Sequence, residues 1–309
     1  MLVSIVIPTY NRKIVLRRCL ELLFNQNFPK SDYEIIVVDN GSTDETDKMV
    51  NSLSPPCRFL FLKEERRGPH IARNMGIKNA RGEIVVFVDS DILTPPDFLK
   101  EHLRFHTLYG EKVIVSGPTV RTDNLMDDFS DIEKRKKMER LFNLSGPSPI
   151  TSNLSVRRKY LIEVGGFDED FEGLGWHDWE LNYRLKKLGL VARKNIDAIV
   201  YHYKEKRKLQ SFERLEERRV QRGINAVLFY KKHPTLEVKF KIKAHQLLTD
   251  KFTFWLDTSF GEKVLKWTEK NDRFLFDYFV RLKLDRAYVR GLREGMKKHK
   301  VKLWPWMQV

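Results

Sequence analysis

The feature that most constrains this chain is a continuous apolar run that stops abruptly at two carboxylates. Residues 83–91 read EIVVFVDSD, so a stretch of Val, Ile and Phe ends in Asp89 and Asp91. A strand without alternation of apolar and polar residues is typical of a parallel sheet that is covered on both faces. Ligands of open α/β sheets bind outside the carboxyl ends of the strands. The sequence therefore predicts a functional site at the end of this strand.

The two acidic residues at this strand end have two interpretations. Two nearby carboxylates are suited to a hard divalent cation, Mg²⁺ or Mn²⁺, which in turn holds a diphosphate. Alternatively, Asp89 and Asp91 only cap the segment that follows them, as turn residues. The spacing alone does not decide, because residues 168–170 share it without following a strand.

The rest of the first 200 residues alternates between strand and helix patterns. Apolar runs that predict strands are separated by segments with helical spacing, and they lie at Val3–Pro8, Tyr33–Asp39, Arg58–Leu62, Lys112–Gly117, Thr151–Val156 and Ala198–His202. This order predicts an α/β fold, a doubly wound and mostly parallel sheet with right-handed crossovers. The strand ends at Pro8, Asp39 and Asp89 are then expected to face one crevice.

The positive charge of the chain is concentrated in its C-terminal third. The net charge is +15 over 309 residues, yet residues 201–309 hold 27 Lys and Arg against 13 Asp and Glu, a net of +14. This third shows amphipathic helical patterns with aromatic residues between the cations. We therefore predict a catalytic domain at residues 1–205 and a helical, basic and aromatic region at residues 206–309 that meets an anionic partner.

Composition also bounds the cellular setting. No run of 18 or more uncharged apolar residues is present, and no basic segment with a cleavage site precedes the first strand pattern, so we expect neither a membrane span nor a secretory signal. Cys19 and Cys57 lack the spacing of metal ligands or of a disulfide framework. A cytoplasmic protein fits these observations best.

Five stretches, in order, resemble family 2 glycosyltransferases of the GT-A fold, which transfer sugars from nucleoside diphosphate sugars with inversion. They are VSIVIPTYNR at 3–12, EIIVVDNGSTD at 34–44, ARNMG at 72–76, DSD at 89–91 and GLGWHDWEL at 173–181. Each is weak evidence alone, whereas five in order over residues 1 to 205 are strong evidence.

The resemblance implies a nucleotide-sugar site. It assigns the loop after the first strand, with Pro8, Thr9, Tyr10 and Arg12, to the nucleotide, together with Asp39, Arg73, Asp89 and Ser90. Asp39 has the alternative role of capping the turn after its strand. Arg73 has the alternative role of a surface salt bridge.

The resemblance also implies a divalent metal, Mn²⁺ or Mg²⁺, bound by Asp91 with Asp89 beside it. Some GT-A enzymes add a histidine after the last core strand, and His202 stands in that place. An imidazole with two carboxylates suits Mn²⁺ somewhat better than Mg²⁺. The alternative for His202 is a structural role.

The general base of the family is usually the Asp of a Glu-Asp pair at the start of a helix. Here His177 replaces the Glu, and Asp178 stands at the position of the Asp. We predict Asp178 as the carboxylate that takes the proton of the acceptor hydroxyl. The departure at His177 leaves open whether Glu180 shares that role, and Asp178 has the alternative role of a helix cap. Trp176, His177 and Glu180 are predicted to line the acceptor site.

Two other functions remain as alternatives. Nucleotidyltransfer also uses paired carboxylates on such a sheet, but it usually brings a Gly-rich basic loop near the first strand, and residues 8–12 contain no glycine. A non-enzymatic nucleic-acid-binding protein is the other. Its basic third lacks a nucleic-acid motif and looks instead like a surface that binds the inner face of an anionic membrane. The expected partners are therefore a nucleotide-sugar donor, a saccharide or lipid-linked acceptor and an anionic membrane surface, with no nucleic acid.

Overall fold

The computed structural model describes residues 3–142, 147, 150–173, 175–204, 212–250 and 253–304. The chain divides into two compact units. The first comprises Met1–Glu169 and His177–Arg207, and the second comprises Asp170–Trp176 and Lys208–Val309. The predicted boundary at residues 205 and 206 lies outside the described residues, and the assignment of one function to each part stays a prediction.

The first unit contains the predicted alternation of strands and helices. Its elements are β1 Val3–Thr9, α1 Lys13–Phe24, β2 Tyr33–Asp39, α2 Thr46–Asn51, β3 Arg58–Lys63, α3 Pro69–Asn79, β4 Ile84–Val88, β5 Ile92–Leu93, α4 Phe98–Tyr109, β6 Val113–Ser116, β7 Thr119–Thr122, α5 Ile132–Phe142, β8 Asn153–Arg157, α6 Arg158–Glu163, α7 His177–Lys187, β9 Val191–Lys194 and β10 Val200–Tyr203.

The central sheet has, within the described residues, seven strands in the order β3-β2-β1-β4-β8-β6-β9. Strand β1 pairs in parallel with β2 and β4, and β2 pairs in parallel with β3. The predicted fold class, α/β with a mostly parallel sheet, is therefore confirmed. Strand β8 departs from the parallel pattern, because it runs antiparallel to both of its neighbours, β4 and β6.

The sheet is covered on both faces, as the unbroken apolar strands require. Every residue of β1, β2 and β4 is buried. Side chains of alternating strand positions pack on one face against α1 and on the other against α3 and α6. Because successive residues of a strand point to opposite faces, a strand buried on both sides carries no polar alternation.

Strand β8 is fixed to α4 by a buried polar network. His102 Nδ1 lies 2.8 Å and His106 Nε2 lies 2.9 Å from Ser155 Oγ, while His102 Nε2 lies 2.8 Å from Asn153 Oδ1. Burial lowers the pKa of His102 to about 4 and that of His106 to about 3. Both imidazoles are therefore neutral near pH 7. Asn153 pairs in register with Val88, the last residue of β4, so the network holds β8 beside the acidic strand end.

A second, smaller sheet places His202 over that strand end. Among the described residues it has three strands in the order β5-β10-β7, with β10 antiparallel to β5 and parallel to β7. His202 on β10 pairs with Ile92, which directly follows Asp91. The register thus brings a histidine more than 100 residues away in sequence to the acidic tip.

The second unit is helical where the structure describes it, as predicted. Its main elements are α8 Phe212–Lys232, α9 Leu236–Lys241, α10 Gln246–Thr249, α11 Ser259–Asn271 and α12 Arg273–His299. Helices α8 and α12 cross at Gly223 and Gly291, where a Cβ on either residue would collide with the backbone of the other helix. No helix among the described residues has the length and apolar character that a membrane span needs.

Candidate active site

The carboxyl ends of β1, β2 and β4 meet at one edge of the sheet, as predicted. The loop after β1 is held to the loop after β2 by hydrogen bonds through Asn11. Its backbone N–H donates to Ser42 Oγ at 2.9 Å, and its Oδ1 accepts from the Thr43 N–H at 2.7 Å. Asn11 adopts φ +50°, a left-handed conformation that Asn tolerates. These contacts fix the loop that contains Thr9, Tyr10 and Arg12.

Asp91 is the electrostatic centre of this edge. One oxygen, Oδ2, lies 2.6 Å from Arg12 Nη1, 2.9 Å from His202 Nε2 and 3.1 Å from Lys204 Nζ. Burial raises the pKa of Asp91, but the hydrogen bond with His202 and the charges of Arg12, His202 and Lys204 outweigh burial and hold this pKa well below its usual range. The carboxylate is therefore ionised near pH 7.

Asp89, in contrast, is paired with Arg73. Arg73 Nη2 donates to Asp89 Oδ1 at 2.6 Å, and the guanidinium lies 5.7 Å from the centre of the Phe167 ring. Arg73 is 4% exposed, which excludes the surface salt bridge considered from sequence. Its Nε and Nη1 are buried and have no hydrogen-bond partner within the described part of the chain. Unpaired buried donors of a cation are costly, so this side chain is suited to bind an anion.

A divalent metal fits the donor set of Asp91 and His202. Their Oδ2 and Nε2 atoms converge, and an oxygen with an imidazole nitrogen is a donor pair that Mn²⁺ accepts. No group of three or more metal-binding side chains is found in the described residues. This is compatible with metals that are bound by one or two side chains together with substrate phosphates.

Asp178 lies in the first turn of α7 and is anchored through one oxygen. Thr151 Oγ1 donates to Asp178 Oδ1 at 2.8 Å, and His177 Nε2 lies 3.6 Å from the same oxygen. The Asp178 side chain is 20% exposed. Helix α7 begins at His177, one residue before Asp178, and the recorded hydrogen bond of this carboxylate goes to Thr151 rather than to a backbone N–H. The alternative role as a helix cap is therefore not the one observed.

Glu180, one turn along α7, is engaged in a structural contact. Its carboxylate accepts from Arg184 Nε at 2.7 Å and Nη2 at 2.6 Å, and Arg184 also donates to the carbonyls of Val164 and Gly166. Glu180 is 1% exposed. This ion pair ties α7 to the turn after α6, so the geometry favours Asp178 over Glu180 as the base.

The same turn is bound to α3 by Asn74. Asn74 Oδ1 accepts from the Phe167 N–H at 2.7 Å, and Asn74 Nδ2 donates to the Phe167 carbonyl at 2.8 Å. Arg73 precedes Asn74 on α3. The turn at residues 164–167 thus contacts both the helix of Arg73 and the helix of Asp178.

His177 is stacked against His70 of α3. The ring centres are 5.2 Å apart and the planes differ by 29°. Burial and the charge of Arg73 lower the pKa of His177, whereas the charges of Asp178 and Asp89 raise it. The net effect is a lowered pKa. Burial, His177 and Arg73 together lower the pKa of His70 to about 4. Two neutral imidazoles therefore lie among Arg73, Asp89 and Asp178.

The other predicted residues occupy the same edge, with one exception. Pro8 and Thr9 end β1, Ser90 is buried beside Asp91, and Tyr10 is 44% exposed with the Arg67 guanidinium 5.1 Å above its ring. Asp39 Oδ1 accepts from the Ser42 N–H at 3.1 Å, so Asp39 does cap its turn. The exception is Trp176, which belongs to the second unit. There its ring packs on Phe229, and its Nε1 donates to the Arg222 carbonyl.

Sequence reasoning missed Lys204 and Thr151. Lys204 lies two residues after His202, within the predicted catalytic domain, and no role at the site was predicted for it. Thr151 was read as the start of a strand. The position of Lys204, two residues after the predicted metal ligand His202, could have indicated that it belongs to the site. No feature of the sequence indicates that Thr151 contacts Asp178.

The comparison with protein families decides the assignment. The profile of glycosyl transferase family 2 matches residues 4–165, more than half of the chain. The chain belongs to glycosyl transferase family 2. The resemblance seen in the five sequence stretches is thereby confirmed, and the family is one of glycosyltransferases rather than nucleotidyltransferases or nucleic-acid-binding modules.

Individual members of family 2 give the same picture. Validoxylamine A glucosyltransferase from Streptomyces hygroscopicus subsp. limoneus is 31% identical over 270 residues, which cover 76% of this chain and 57% of that protein. The dolichyl N-acetyl-alpha-D-glucosaminyl phosphate 3-beta-D-2,3-diacetamido-2,3-dideoxy-beta-D-glucuronosyltransferase of Methanococcus voltae is 38% identical over 217 residues, covering 65% of this chain and 66% of that protein. The chain thus spans less than two thirds of the length of either relative.

A solved structure supports the fold of this family 2 member. The mannosyltransferase PcManGT from Pyrobaculum calidifontis, in complex with GDP-Man and Mn²⁺, matches with a TM-score of 0.62 and 21% sequence identity, over 96% of this chain and 87% of that chain. At this identity the likeness concerns the fold, which is GT-A.

Proposed function

We propose that this family 2 member transfers a sugar from a nucleoside diphosphate sugar to a hydroxyl group of a saccharide or lipid-linked acceptor, with inversion. The observation that carries the proposal is the cluster at the end of β4, where Asp91 meets His202 and the cations Arg12 and Lys204. A diphosphate is the anionic group that such a set of charges fits. The PcManGT complex, with GDP-Man and Mn²⁺ on a similar fold, supports this interpretation.

The donor is proposed to bind along the strand ends. Tyr10 stacks on the base, while Asp39, whose Oδ1 also caps its turn, accepts from the base or the ribose. Thr9, with a buried Oγ1 that has no partner among the described residues, supplies a further polar group. Arg73 directs its two unpaired donors to the diphosphate, where Arg12 and Lys204 add positive charge.

The metal is proposed to be Mn²⁺ or Mg²⁺, held by Asp91 and His202. Asp89 was predicted as a ligand too, but His202 Nε2 lies beside Asp91 Oδ2, and no contact among the described residues joins Asp89 to either of them, so two protein ligands are proposed rather than three. When bound, the ion supplies a Lewis acid that neutralises charge developing on the leaving diphosphate.

In the proposed reaction Asp178 is the general base. Its carboxylate takes the proton of the acceptor hydroxyl as that oxygen attacks the anomeric carbon. The bond from the anomeric carbon to the diphosphate oxygen breaks on the opposite face, and its electron pair leaves with the nucleoside diphosphate. Attack opposite to the leaving group gives inversion.

Thermal melting in the presence of donors tests this function. UDP-glucose, UDP-GlcNAc and GDP-mannose are each added with Mn²⁺ at about 100 times a typical dissociation constant. The true donor then stabilises the folded state by about 2.7 kcal/mol, which raises the melting temperature by about 5 °C or more. DNA and RNA are the controls and should produce no such shift. A shift with nucleic acid and with none of the nucleotide sugars would contradict the proposal.

We further propose that the second unit brings the enzyme to an anionic membrane surface on the cytoplasmic side, where a lipid-linked saccharide or nascent cell-envelope polymer is the acceptor. Phe260 and Trp267 are two turns apart on α11, hence on one face, and are 64% and 59% exposed. Phe274 at the start of α12 is 80% exposed. Trp prefers the membrane interface, Phe and Trp are typical of the apolar face of helices that lie in it, and the net +14 of the C-terminal third attracts anionic lipids. The Methanococcus voltae relative, named for a dolichyl-linked sugar phosphate, supports a lipid-linked acceptor.

Two of the four tryptophans in residues 201–309 pack against other residues of the second unit. Trp255 packs against Phe260 and Phe279. Trp304 donates to the Ala244 carbonyl and has Lys239 over its ring. Trp306 lies outside the described residues. The membrane proposal therefore depends on Phe260, Trp267 and Phe274.

Liposome co-sedimentation tests the membrane proposal. The full chain is expected to pellet with vesicles rich in phosphatidylglycerol at low salt and to be released at high salt. The double variant Phe260→Ser/Trp267→Ser should bind several-fold more weakly, whereas Leu108→Ser, which changes a residue of the first unit with 62% exposure, should bind normally. If the wild-type chain stays in the supernatant at low salt, the membrane proposal is wrong and a soluble acceptor is favoured.

A further inference from the structure

The carboxylate of Asp178 is held asymmetrically. Both neighbouring polar atoms contact Oδ1: the Thr151 hydroxyl at 2.8 Å and His177 Nε2 at 3.6 Å. Oδ2 has no recorded hydrogen bond or ion pair to any described residue, and the side chain retains 20% exposure. One oxygen is thus occupied by the protein, and the other is available to a ligand.

Thr151 is itself rigidly placed. It is 1% exposed and lies two residues before Asn153, the first residue of β8. Asn153 Nδ2 donates to the carbonyls of Pro118 at 3.1 Å and Ala198 at 2.8 Å, and its Oδ1 lies 2.8 Å from His102 Nε2. Three hydrogen bonds of Asn153 therefore hold the segment that contains the Thr151 hydroxyl.

Asp178 Oδ1 also lies near His177, whose buried ring is stacked on the buried ring of His70. Burial lowers the pKa of both histidines, so neither adds a positive charge that would weaken Asp178 as a base. Thr151, which donates the hydrogen bond to Oδ1, is the neighbour that sets the direction of the carboxylate.

We propose that Thr151 is a positioning residue, which orients the Asp178 carboxylate so that Oδ2 faces the acceptor hydroxyl. This inference rests on the proposed function of Asp178 as general base. A neutral hydrogen bond contributes only modestly to stability, but a small displacement of a catalytic group costs up to about 100-fold in rate. The contribution of Thr151 is therefore expected in turnover more than in folding.

The test compares Thr151→Val, Thr151→Ser and Thr268→Val in the full chain. Valine keeps the shape and removes the hydroxyl, while serine keeps the hydroxyl. Thr268 is a matched control: it is also 1% exposed, and among the described residues its hydroxyl donates to the Leu265 carbonyl of its own helix in the second unit. Release of nucleoside diphosphate from UDP-glucose, UDP-GlcNAc or GDP-mannose with Mn²⁺ is measured, with water or added saccharide as acceptor.

Thr151→Val is expected to lower kcat by about 10-fold or more, with the donor KM unchanged, whereas Thr151→Ser should retain most of the wild-type kcat and Thr268→Val all of it. Thr151→Ala has the same expected kcat and replaces the valine variant if that one unfolds. Two results would overturn this inference alone while the wild-type enzyme is active. One is a normal kcat in both the valine and the alanine variants, and the other is a kcat that falls as far in the serine variant as in the valine variant. A wild-type chain that turns over none of the donors overturns the proposed function, and the inference with it.

Discussion

The Asp91→Ala variant is expected to lose transfer by about 1,000-fold or more. The Lewis acid that Asp91 is proposed to hold is worth several kcal/mol in the transition state, and each 1.36 kcal/mol is a factor of ten in rate. Arg12 and Lys204 are unchanged in this variant and keep their positive charge. Donor binding should therefore persist, so the loss is expected in kcat while the dissociation constant of the donor changes little.

Chelation provides the matched experiment for Asp91. EDTA should reduce wild-type turnover to the level of the variant, and Mn²⁺ should restore the wild type but not Asp91→Ala. Asp89→Ala removes the partner of Arg73 and is also expected to be inactive, although for a different reason, since it frees the guanidinium. Full wild-type turnover in EDTA would show that no metal assists the leaving group.

The Asp178→Asn variant is expected to lower kcat by about 100-fold or more. Asparagine preserves the shape of the side chain and can still accept the Thr151 hydrogen bond, but it cannot take a proton from the acceptor. Donor-induced melting shifts should match those of the wild type, because Asp178 is not proposed to bind the donor.

Glu180→Gln is the control for this assignment. Removing one partner of a buried ion pair costs a few kcal/mol, so this variant should melt several degrees lower while it keeps most of its kcat at temperatures where it is folded. A Glu180→Gln variant with a normal melting temperature and no turnover would show that the base is Glu180.

The fold was predictable wherever a buried strand contains enough apolar residues. Strand β2 begins and ends as predicted, at Tyr33 and Asp39, because an apolar run ends there in an acidic turn. Strands β5, β7 and β9 were missed: β5 has two residues, and β7 and β9 are exposed at alternate positions. The antiparallel direction of β8 was not predicted either, because an apolar run looks the same in both directions.

The candidate site was predictable where its residues directly follow strands. The ends of parallel strands share one edge, so the sequence was sufficient to bring Asp39, Asp89 and Asp91 together. The pairing of Asp89 with Arg73, and of Asp91 with Lys204, depends on side-chain directions that no single sequence records. Thr151 reaches Asp178 only because β8 runs antiparallel to β4, the feature that was also missed in the fold.

The turn at residues 164–167 has a consequence for how this enzyme can acquire new acceptors. Arg184 binds the turn from the helix of Asp178, and Asn74 binds it from the helix of Arg73. The proposed base and the arginine proposed to bind the diphosphate are therefore connected through one turn. We expect substitutions that leave these contacts intact to change which hydroxyl group is accepted without changing the distance between the two groups.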